Sequence, residues 1–398
     1  MAMNYPTLKL NKDEDRRLRA GHLWIFSNEV NTSATPLKSF APGQCAVVLN
    51  HVGNPMGLAY VNPASLICAR IISHNIKQLF DVAFFKQRLE QALLLRSRLF
   101  SQPYYRLVYG ESDLLPGLVI DRFDDTLVIQ IGTAGMEQKK MQILEAVDAV
   151  INPSHIILNN KTTARHLEGL DTSIETLKGS PPAMLRVIEN NVNFEVSAMD
   201  GQKTGWFYDH RLNRHRMQQY THGKDVLDVF SYTGGWGIQA ATAGAKSVHC
   251  VESSNQACQQ LQMNAELNQV QDRVSVTNGD AFDTLAQLRQ TKSQFDVIII
   301  DPPAFIKRKK DIKEGIIAYQ RINKAAMQLL ANNGILISAS CSFHLSREQH
   351  LKILRNGAKQ VSKEIQVIEQ GYASPDHPIH PAIPETNYIS TYIARLLT

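Results

Sequence analysis

Residues Asp225–Ala241 read DVLDVFSYTGGWGIQAA. The apolar run Val226–Phe230 is long enough for a buried parallel strand. Ser231, Thr233, Gly234, Gly235 and Gly237 then supply a tight turn, and Ile238–Ala241 opens a helix. Strand, glycine turn and helix in that order predict a nucleotide site at the carboxyl edge of a doubly wound sheet. The turn reads Gly-Gly-x-Gly rather than G-x-G-x-x-G, so the spacing that lets backbone approach a pyrophosphate is missing. Asp228, near the strand end, would repel a phosphate but attract an ammonium or sulfonium. S-adenosylmethionine (SAM) therefore fits better than NAD.

The next segments repeat the pattern. Ala245–Val251 reads as a second strand followed by Glu252, a carboxylate placed for ribose hydroxyls. Val274–Val276 reads as a third strand, after which Asp280 is positioned for the adenine amino group. Each acid alone is a common loop residue; three at the ends of successive strands make a site. Phe295–Ile300 is a fourth strand and ends in Asp301-Pro302-Pro303-Ala304-Phe305. Asp311 is expected to cap a helix running through Leu330, with Gly334 just past its end. Ile335–Ala339 is a fifth strand, closed by Ser340-Cys341-Ser342. This alternation predicts one doubly wound α/β domain.

Upstream, residues 1–73 carry closely spaced strand and turn signals, as in a small β-barrel: Leu8–Leu10, Trp24–Phe26, Cys45–Leu49, Met56–Tyr60 and Ile67–Ile72. Lys12–Gly21 reads as a short helix ending on glycine. Residues 74–190 alternate differently, with a helix over Val82–Phe100, strands at Tyr105–Tyr109, Leu118–Asp121 and Leu127–Ile131, a helix over Met136–Val150 and a strand at Ile156–Leu158. No catalytic constellation stands out there, and a structural or docking unit is expected. Lys178–Pro182 reads as a connection to the last domain, 191–398.

Composition sets outer limits. At 398 residues, the chain is long enough for two or three domains. A net charge of +5 is mild and accommodates a nucleic-acid partner without demanding one. The five cysteines form no C-x-x-C pair, which argues against a disulfide framework or a zinc site. No metal is expected. The N-terminal residues lack a signal-peptide core and no apolar run reaches the roughly 18 residues of a membrane span. A cytoplasmic enzyme with no membrane partner is expected.

The chemistry concentrates at two strand ends. Asp301-Pro302-Pro303 holds a carboxylate on a stiff backbone where a substrate base would lie, with Phe305 available to stack. That motif alone also suits methylation of an exocyclic amine. Cys341 discriminates, because carbon 5 of a pyrimidine becomes nucleophilic only after a thiolate adds at carbon 6. The competing reading is a small buried core residue; a strand end between two serines favours the nucleophile. Lys307, Arg308, Lys309 and Lys310 follow directly and are expected to contact phosphates, as are Arg16 and Arg17 of the N-terminal helix. The alternative for both groups is a solvated charged face.

Gln202–Arg211 (QKTGWFYDHR), Asp228–Gly235 (DVFSYTGG), Asp301–Phe305 and Ser340–Ser342 resemble the bacterial large-subunit ribosomal RNA (cytosine-C5) methyltransferase I family along the whole chain. The resemblance implies a Rossmann-like class I methyltransferase domain at 191–398. It also implies a PUA RNA-binding barrel at 1–73, marked by His22–Phe26, and a β-β-α-β-β middle domain at 74–190, marked by Glu111–Leu118. It implies a SAM site drawn from Phe207, Asp209, Arg211, Asp228, Phe230, Ser231, Gly234, Glu252, Ser253, Asp280 and Ala281. The implied activity is formation of 5-methylcytosine in 23S rRNA, with Cys341 and Asp301 catalytic; a homodimer is also common in the family. Many RNA C5 methyltransferases carry a second cysteine directly after Pro-Pro to release product; here that place is Ala304. Rival readings are an amine methyltransferase using Asp301–Pro303 alone, and a non-catalytic RNA-binding assembly factor.

Overall fold

A computed structural model describes residues 5–199 and 204–397. Gln202 and Lys203 of the Gln202–Arg211 motif, and the outermost residues of the first and last expected domains, lie outside them. The described chain divides into two compact units. The first holds residues up to Leu185 with 197–206 and 375–386; the second holds 186–196, 207–374 and 387–398.

The first unit begins with β1 (Thr7–Lys9), α1 (Arg16–Arg19), β2 (Trp24–Phe26), β3 (Gln44–Leu49), β4 (Pro55–Val61) and β5 (Ile67–Ser73). They form one sheet in the order β1-β3-β4-β5-β2 around Leu8, Ile25, Val48 and Ile71. The expected helix over Lys12–Gly21 is only the single turn Arg16–Arg19, because Asp13 adopts a left-handed φ of 68° that stops it from starting earlier.

Next come α2 (Val82–Leu99), β6 (Tyr104–Tyr109), β7 (Leu118–Phe123), β8 (Thr126–Ile131), α3 (Ala134–Glu137), α4 (Lys140–Val150), β9 (His155–Asn159), α5 (Thr163–Leu167) and β10 (Ile174–Lys178). The second sheet runs β10-β9-β8-β7-β6, with β8 and β9 parallel and the other neighbours antiparallel. The helix expected over Met136–Val150 is two pieces, and β10 was not read from the sequence. Phe84, Phe85, Leu107, Ile129 and Ile143 fill the core. Arg96, fully buried, forks onto Asp113 at 2.6 and 2.8 Å and donates to the carbonyls of Arg106 and Asp376, so its charge and donors are satisfied inside that core.

A hairpin of β11 (Met184–Glu189) and β12 (Val192–Ser197) follows. Its turn residues Asn190 and Asn191 both have positive φ, as a two-residue primed turn requires. The boundary expected between 190 and 191 falls at this turn.

The second unit continues with α6 (Arg211–Met217), β13 (Asp225–Val229), α7 (Gly237–Thr242), β14 (Ser247–Glu252), α8 (Asn255–Leu267), β15 (Val274–Asn278), α9 (Ala281–Gln290), β16 (Phe295–Ile300), α10 (Ile312–Leu329), β17 (Leu330–Ser340), α11 (Arg347–Gln360), β18 (Glu364–Gly371) and β19 (Ser390–Leu397). Its sheet runs β15-β14-β13-β16-β17-β19-β18. The first five strands are parallel, and β19 inserts antiparallel to both its neighbours. The expected α/β class and the five read strands are present; β18 and β19 are additions.

Two local expectations fail. Asp311 makes no side-chain cap; its carboxylate pairs with Arg308 at 3.0 Å. Gly334 does not close α10 either, because the chain enters β17 directly at Leu330, which pairs with Phe295. Asn333, at φ 60°, and Gly334 then form an irregularity inside β17 before pairing resumes at Ile335. Among the described residues no helix is long and apolar enough to cross a membrane, and no group of three or more His, Cys, Asp or Glu could hold a metal ion.

Candidate active site

β13 delivers the chain into a turn that only a few residue types tolerate. Phe230 and Tyr232 both take left-handed φ values, 67° and 48°. Such strain in non-glycine residues persists only where neighbours hold it. Ser231 supplies part of that hold: its Oγ donates to the Asp228 carbonyl at 2.7 Å and accepts the Val251 N–H at 3.1 Å. Gly234 sits at φ +90°, and a Cβ there would meet Ile238 at 2.5 Å. Gly237 has another reason to be glycine, since a Cβ would lie 2.6 Å from Cys250 Sγ and 3.0 Å from Asp228 Oδ2.

Asp228 is fully buried, and its Oδ2 accepts the Gly237 N–H at 2.9 Å. Burial, with Asp301 and Glu252 nearby, pushes its carboxyl up to about 7 although the Gly237 bond opposes this. Its Oδ1 is buried with no hydrogen-bond partner. Glu252, the last residue of β14, accepts N–H groups from Tyr232 at 2.9 Å and Ser254 at 2.8 Å. It therefore ties the turn after β13 to the turn after β14, and Ser253 lies exposed beside it. Asp280 caps α9, accepting the Phe282 and Asp283 N–H groups, with Ala281 buried behind it. These acids stand at successive carboxyl ends of β13, β14 and β15, the side where open α/β sheets bind ligands. The set fits SAM: a half-buried carboxylate for ribose hydroxyls, an exposed one for adenine, and an orphaned buried acceptor beside the glycine turn for a cationic group.

The segment before α6 frames the same edge. The Phe207 ring meets Tyr232 edge-on at 5.5 Å. Asp209 is buried, receives the Tyr388 hydroxyl at 2.5 Å, and its carbonyl accepts the Ser374 N–H. Arg211 is buried 3.6 Å from Glu189. Glu189 also takes a forked pair of bonds from Arg214 and one from Gln239, so the β11–β12 hairpin anchors α6.

Asp301 follows β16 with its side chain 19% exposed. Trp236 Nε1 donates to its Oδ2 at 2.8 Å, and His210 Nε2 stands 3.5 Å from its Oδ1. Cys341 lies at the end of β17, half-buried, with Sγ 3.8 Å from the Pro302 carbonyl. The serines on either side are buried and turned to structural work. Ser340 donates to the Tyr319 hydroxyl; Ser342 Oγ bonds the same hydroxyl at 2.8 Å and accepts the Ile306 N–H. Tyr319 thus staples the Cys341 loop to the Asp301–Phe305 loop, and burial raises its own hydroxyl to about 12, keeping it protonated. Burial also raises the other four thiols, Cys68 to about 12 and Cys45, Cys250 and Cys258 above the ordinary value.

Lys307, Arg308, Lys309 and Lys310 are all exposed just beyond Phe305. Arg16 and Arg17 belong to the first unit. Arg16 pairs with Asp13 at 3.2 Å; Arg17 is held by Glu29 at 2.8 Å and lies over the Phe26 ring. Sequence reasoning missed Trp236, Tyr319 and Glu189 as site residues. Trp236 alone had left a signal, a bulky aromatic inside a glycine turn.

Residues 138–381 match the family model for S-adenosylmethionine-dependent methyltransferases, and residues 8–74 match that for PUA-like domains. Over 395 residues the chain is 33% identical to the ribosomal RNA large subunit methyltransferase I of Cronobacter sakazakii, covering 98% of this chain and 99% of that protein. The protein of that name from Vibrio cholerae is 34% identical over 400 residues, 98% of this chain and 100% of its own. A solved protein assigned as a methyltransferase, in complex with SAH, superposes with a TM-score of 0.85 at 20% identity, covering 98% of this chain and 100% of that one. A protein from Streptococcus mutans assigned as a SAM-dependent methyltransferase gives 0.83 at 20% identity, with the same coverage. These two likenesses concern the fold.

Proposed function

The chain belongs to the ribosomal RNA large subunit methyltransferase I family of SAM-dependent methyltransferases, and from that premise we propose that it methylates carbon 5 of a cytosine in large-subunit ribosomal RNA. The observation that carries the reading is Cys341: a half-buried thiol on a stapled loop, its Sγ 3.8 Å from the carbonyl that follows Asp301. Neither a purely RNA-binding factor nor an amine methyltransferase has use for a nucleophile so held.

In this reading Asp228, Glu252 and Asp280, with Phe207, Asp209, Arg211, Phe230, Ser231, Gly234, Ser253 and Ala281 around them, form the SAM site. SAM, when bound, supplies an electrophilic methyl group. Cys341 Sγ adds to carbon 6 of a cytosine taken out of its stack, which gives carbon 5 the character of an enolate-like nucleophile. Asp301 holds a proton on the ring nitrogen and so takes up the charge that addition would otherwise leave there. After methylation, loss of the carbon 5 proton restores the double bond and expels the thiolate. Ala304 gives the release step no second thiol. Lys307, Arg308 and Lys309, with Arg16 and Arg17 on the other unit, contact phosphates, which position RNA without reading it.

The test is turnover of large-subunit RNA with SAM, followed by nucleoside analysis. Wild type is expected to yield 5-methylcytosine and Cys341→Ala none. A methylated exocyclic amine, or C5 methylation surviving in Cys341→Ala, would overturn the reading.

A further inference from the structure

The two motifs that mark the first unit, His22–Phe26 and Glu111–Leu118, meet at a place the methylation chemistry does not use. Trp24 Nε1, at the start of β2, donates to Glu111 Oε1 at 2.9 Å, in the turn after β6. Behind this contact opens a cavity of about 400 Å³, within the range of small-molecule sites. Trp24, Tyr109, Glu111, Arg70, Gln130 and Glu385 are among its walls.

Its electrostatics exclude a phosphate. Arg70, paired with Trp24 across β2 and β5, is buried and neutralised by Glu168 at 2.9 Å. Glu111 and Glu385 then leave the lining acidic. Trp24, half-buried, offers a flat apolar ring, and the Tyr109 ring, packed against His377 at 5.0 Å, adds an aromatic wall. Gln130 adds an amide whose Nε2 is buried with no hydrogen-bond partner, an unmet donor that is costly unless a ligand brings an acceptor. Aromatic faces, an acidic acceptor and one unmet donor match a nucleobase and not its backbone.

Among the bases the match is to guanine. Its Watson–Crick edge presents two adjacent N–H donors, N1 and N2, beside the O6 acceptor. A carboxylate is acceptor-only, with about four lone-pair sites, so Glu111 can keep the Trp24 bond and still receive both donors. The Gln130 amide answers O6. Adenine and cytosine offer one donor group beside an acceptor that would face the carboxylate, and uracil offers a single N–H.

We propose that this pocket of the first unit binds one unstacked guanine of the substrate RNA, as a second contact apart from the target cytosine. The proposal rests on RNA being the substrate. Its location joins the two marked motifs in one role, the barrel supplying the stacking ring and the middle sheet the base-reading acid.

The experiment uses the full chain and a short oligouridylate carrying one central guanine, inosine or adenine. Anisotropy is expected to show guanine bound about tenfold or more tighter than inosine, which lacks only the N2 amine, and tighter than adenine. Glu111→Gln, whose amide oxygen still serves Trp24, should erase the guanine–inosine difference. Gln130→Leu should weaken guanine and inosine alike, since both carry O6. Free GMP should compete much less well than the oligonucleotide; equal competition would reassign the pocket to a free nucleotide and overturn the RNA source. Equal binding of all three oligonucleotides, or a guanine preference that survives Glu111→Gln, overturns the site itself. Methylation of large-subunit RNA is scored separately, so its absence would refute the proposed reaction without touching the guanine readout.

Discussion

Trp236 Nε1 donates to Asp301 Oδ2 at 2.8 Å, so the turn after β13 orients the carboxylate at the end of β16. The bond crosses from the glycine turn to the Asp-Pro-Pro loop, and His210 approaches the other carboxylate oxygen. Trp236→Phe keeps an aromatic ring and deletes the donor. Turnover should fall about 10- to 100-fold, the equivalent of one hydrogen bond to a charged group, with SAM affinity unchanged. Undiminished kcat in a folded variant would make the bond a packing detail.

Cys341 is expected to form a covalent adduct. RNA containing 5-fluorocytidine should trap wild type as a denaturant-stable complex, because fluorine cannot leave carbon 5 as a proton does. No other cysteine replaces it: burial raises Cys45, Cys68, Cys250 and Cys258 and keeps them protonated. Gel mobility after denaturation reads the adduct, and its persistence in Cys341→Ala would rule the assignment out.

Glu252→Ala should cost about 1–3 kcal/mol of SAM affinity through lost charge-assisted bonds. Part of the loss reflects the turn itself, because Glu252 also holds the Tyr232 and Ser254 amides. Glu252→Gln separates the two effects: its amide keeps one acceptor for the turn and loses the second. Calorimetry showing wild-type affinity in both variants would remove Glu252 from the site.

Stability should depend on pH through two opposing buried groups. Asp228 is raised from an ordinary 3.8 to about 7, so its folded form holds a proton that the unfolded chain gives up, and stability falls as pH rises between those values. His350, held between Ser338 and Ser390, is lowered by burial from 6.5 to about 3; its contribution is present above 6.5 and is lost as pH falls toward 3. The displacements correspond to about 4–5 kcal/mol each, and the two nearly cancel from pH 4 to 6.5. Asp228→Asn removes one side of the balance. Its denaturation midpoint should exceed wild type at pH 8 and decline more steeply on acidification. A wild-type pH profile in the variant would mean that Asp228 is ionised throughout.

SAM binding should respond in the same range. A cationic ligand prefers ionised Asp228, so affinity should rise as pH increases from 6 through about 7, with a proton released on binding. Calorimetry in buffers of different ionisation enthalpy measures that proton directly; none released would place the cationic group elsewhere.

Neutralising Lys307, Arg308, Lys309 and Lys310 should weaken RNA binding and flatten its salt dependence by roughly 0.7–0.9 log units per lost phosphate contact. These side chains are exposed, so the fold should not change. An unaltered salt slope would make the run a solvated surface. Arg17 is a poorer probe, because removing it also unseats Glu29.

Much of this was legible in the chain. Val226–Val229 had to be a buried strand because every residue but Asp228 is apolar, and Gly234 had to be glycine because its φ is +90° and a Cβ would strike Ile238. Asp301 and Cys341 could be located at strand ends because each follows an apolar run and precedes a break. Helix ends were read less well. Asp311 and Gly334 carry the right residue types for caps, yet Arg308 claims the first carboxylate and pairing with Phe295 draws the chain into β17 before the glycine is reached.

Sequence alone determined the alternation of strand and helix and the acids and thiol at strand ends, since periodicity and turn chemistry act over a few residues. Only the tertiary structure decided which ends meet. The order β15-β14-β13-β16-β17-β19-β18 sets β13 beside β16, and so brings Trp236 to Asp301 across 65 residues of chain. The antiparallel insertion of β19, the Tyr319 staple and the Trp24–Glu111 contact arise the same way. Such contacts satisfy buried polar groups with whatever partner the packing supplies, and no local pattern encodes a partner that distant.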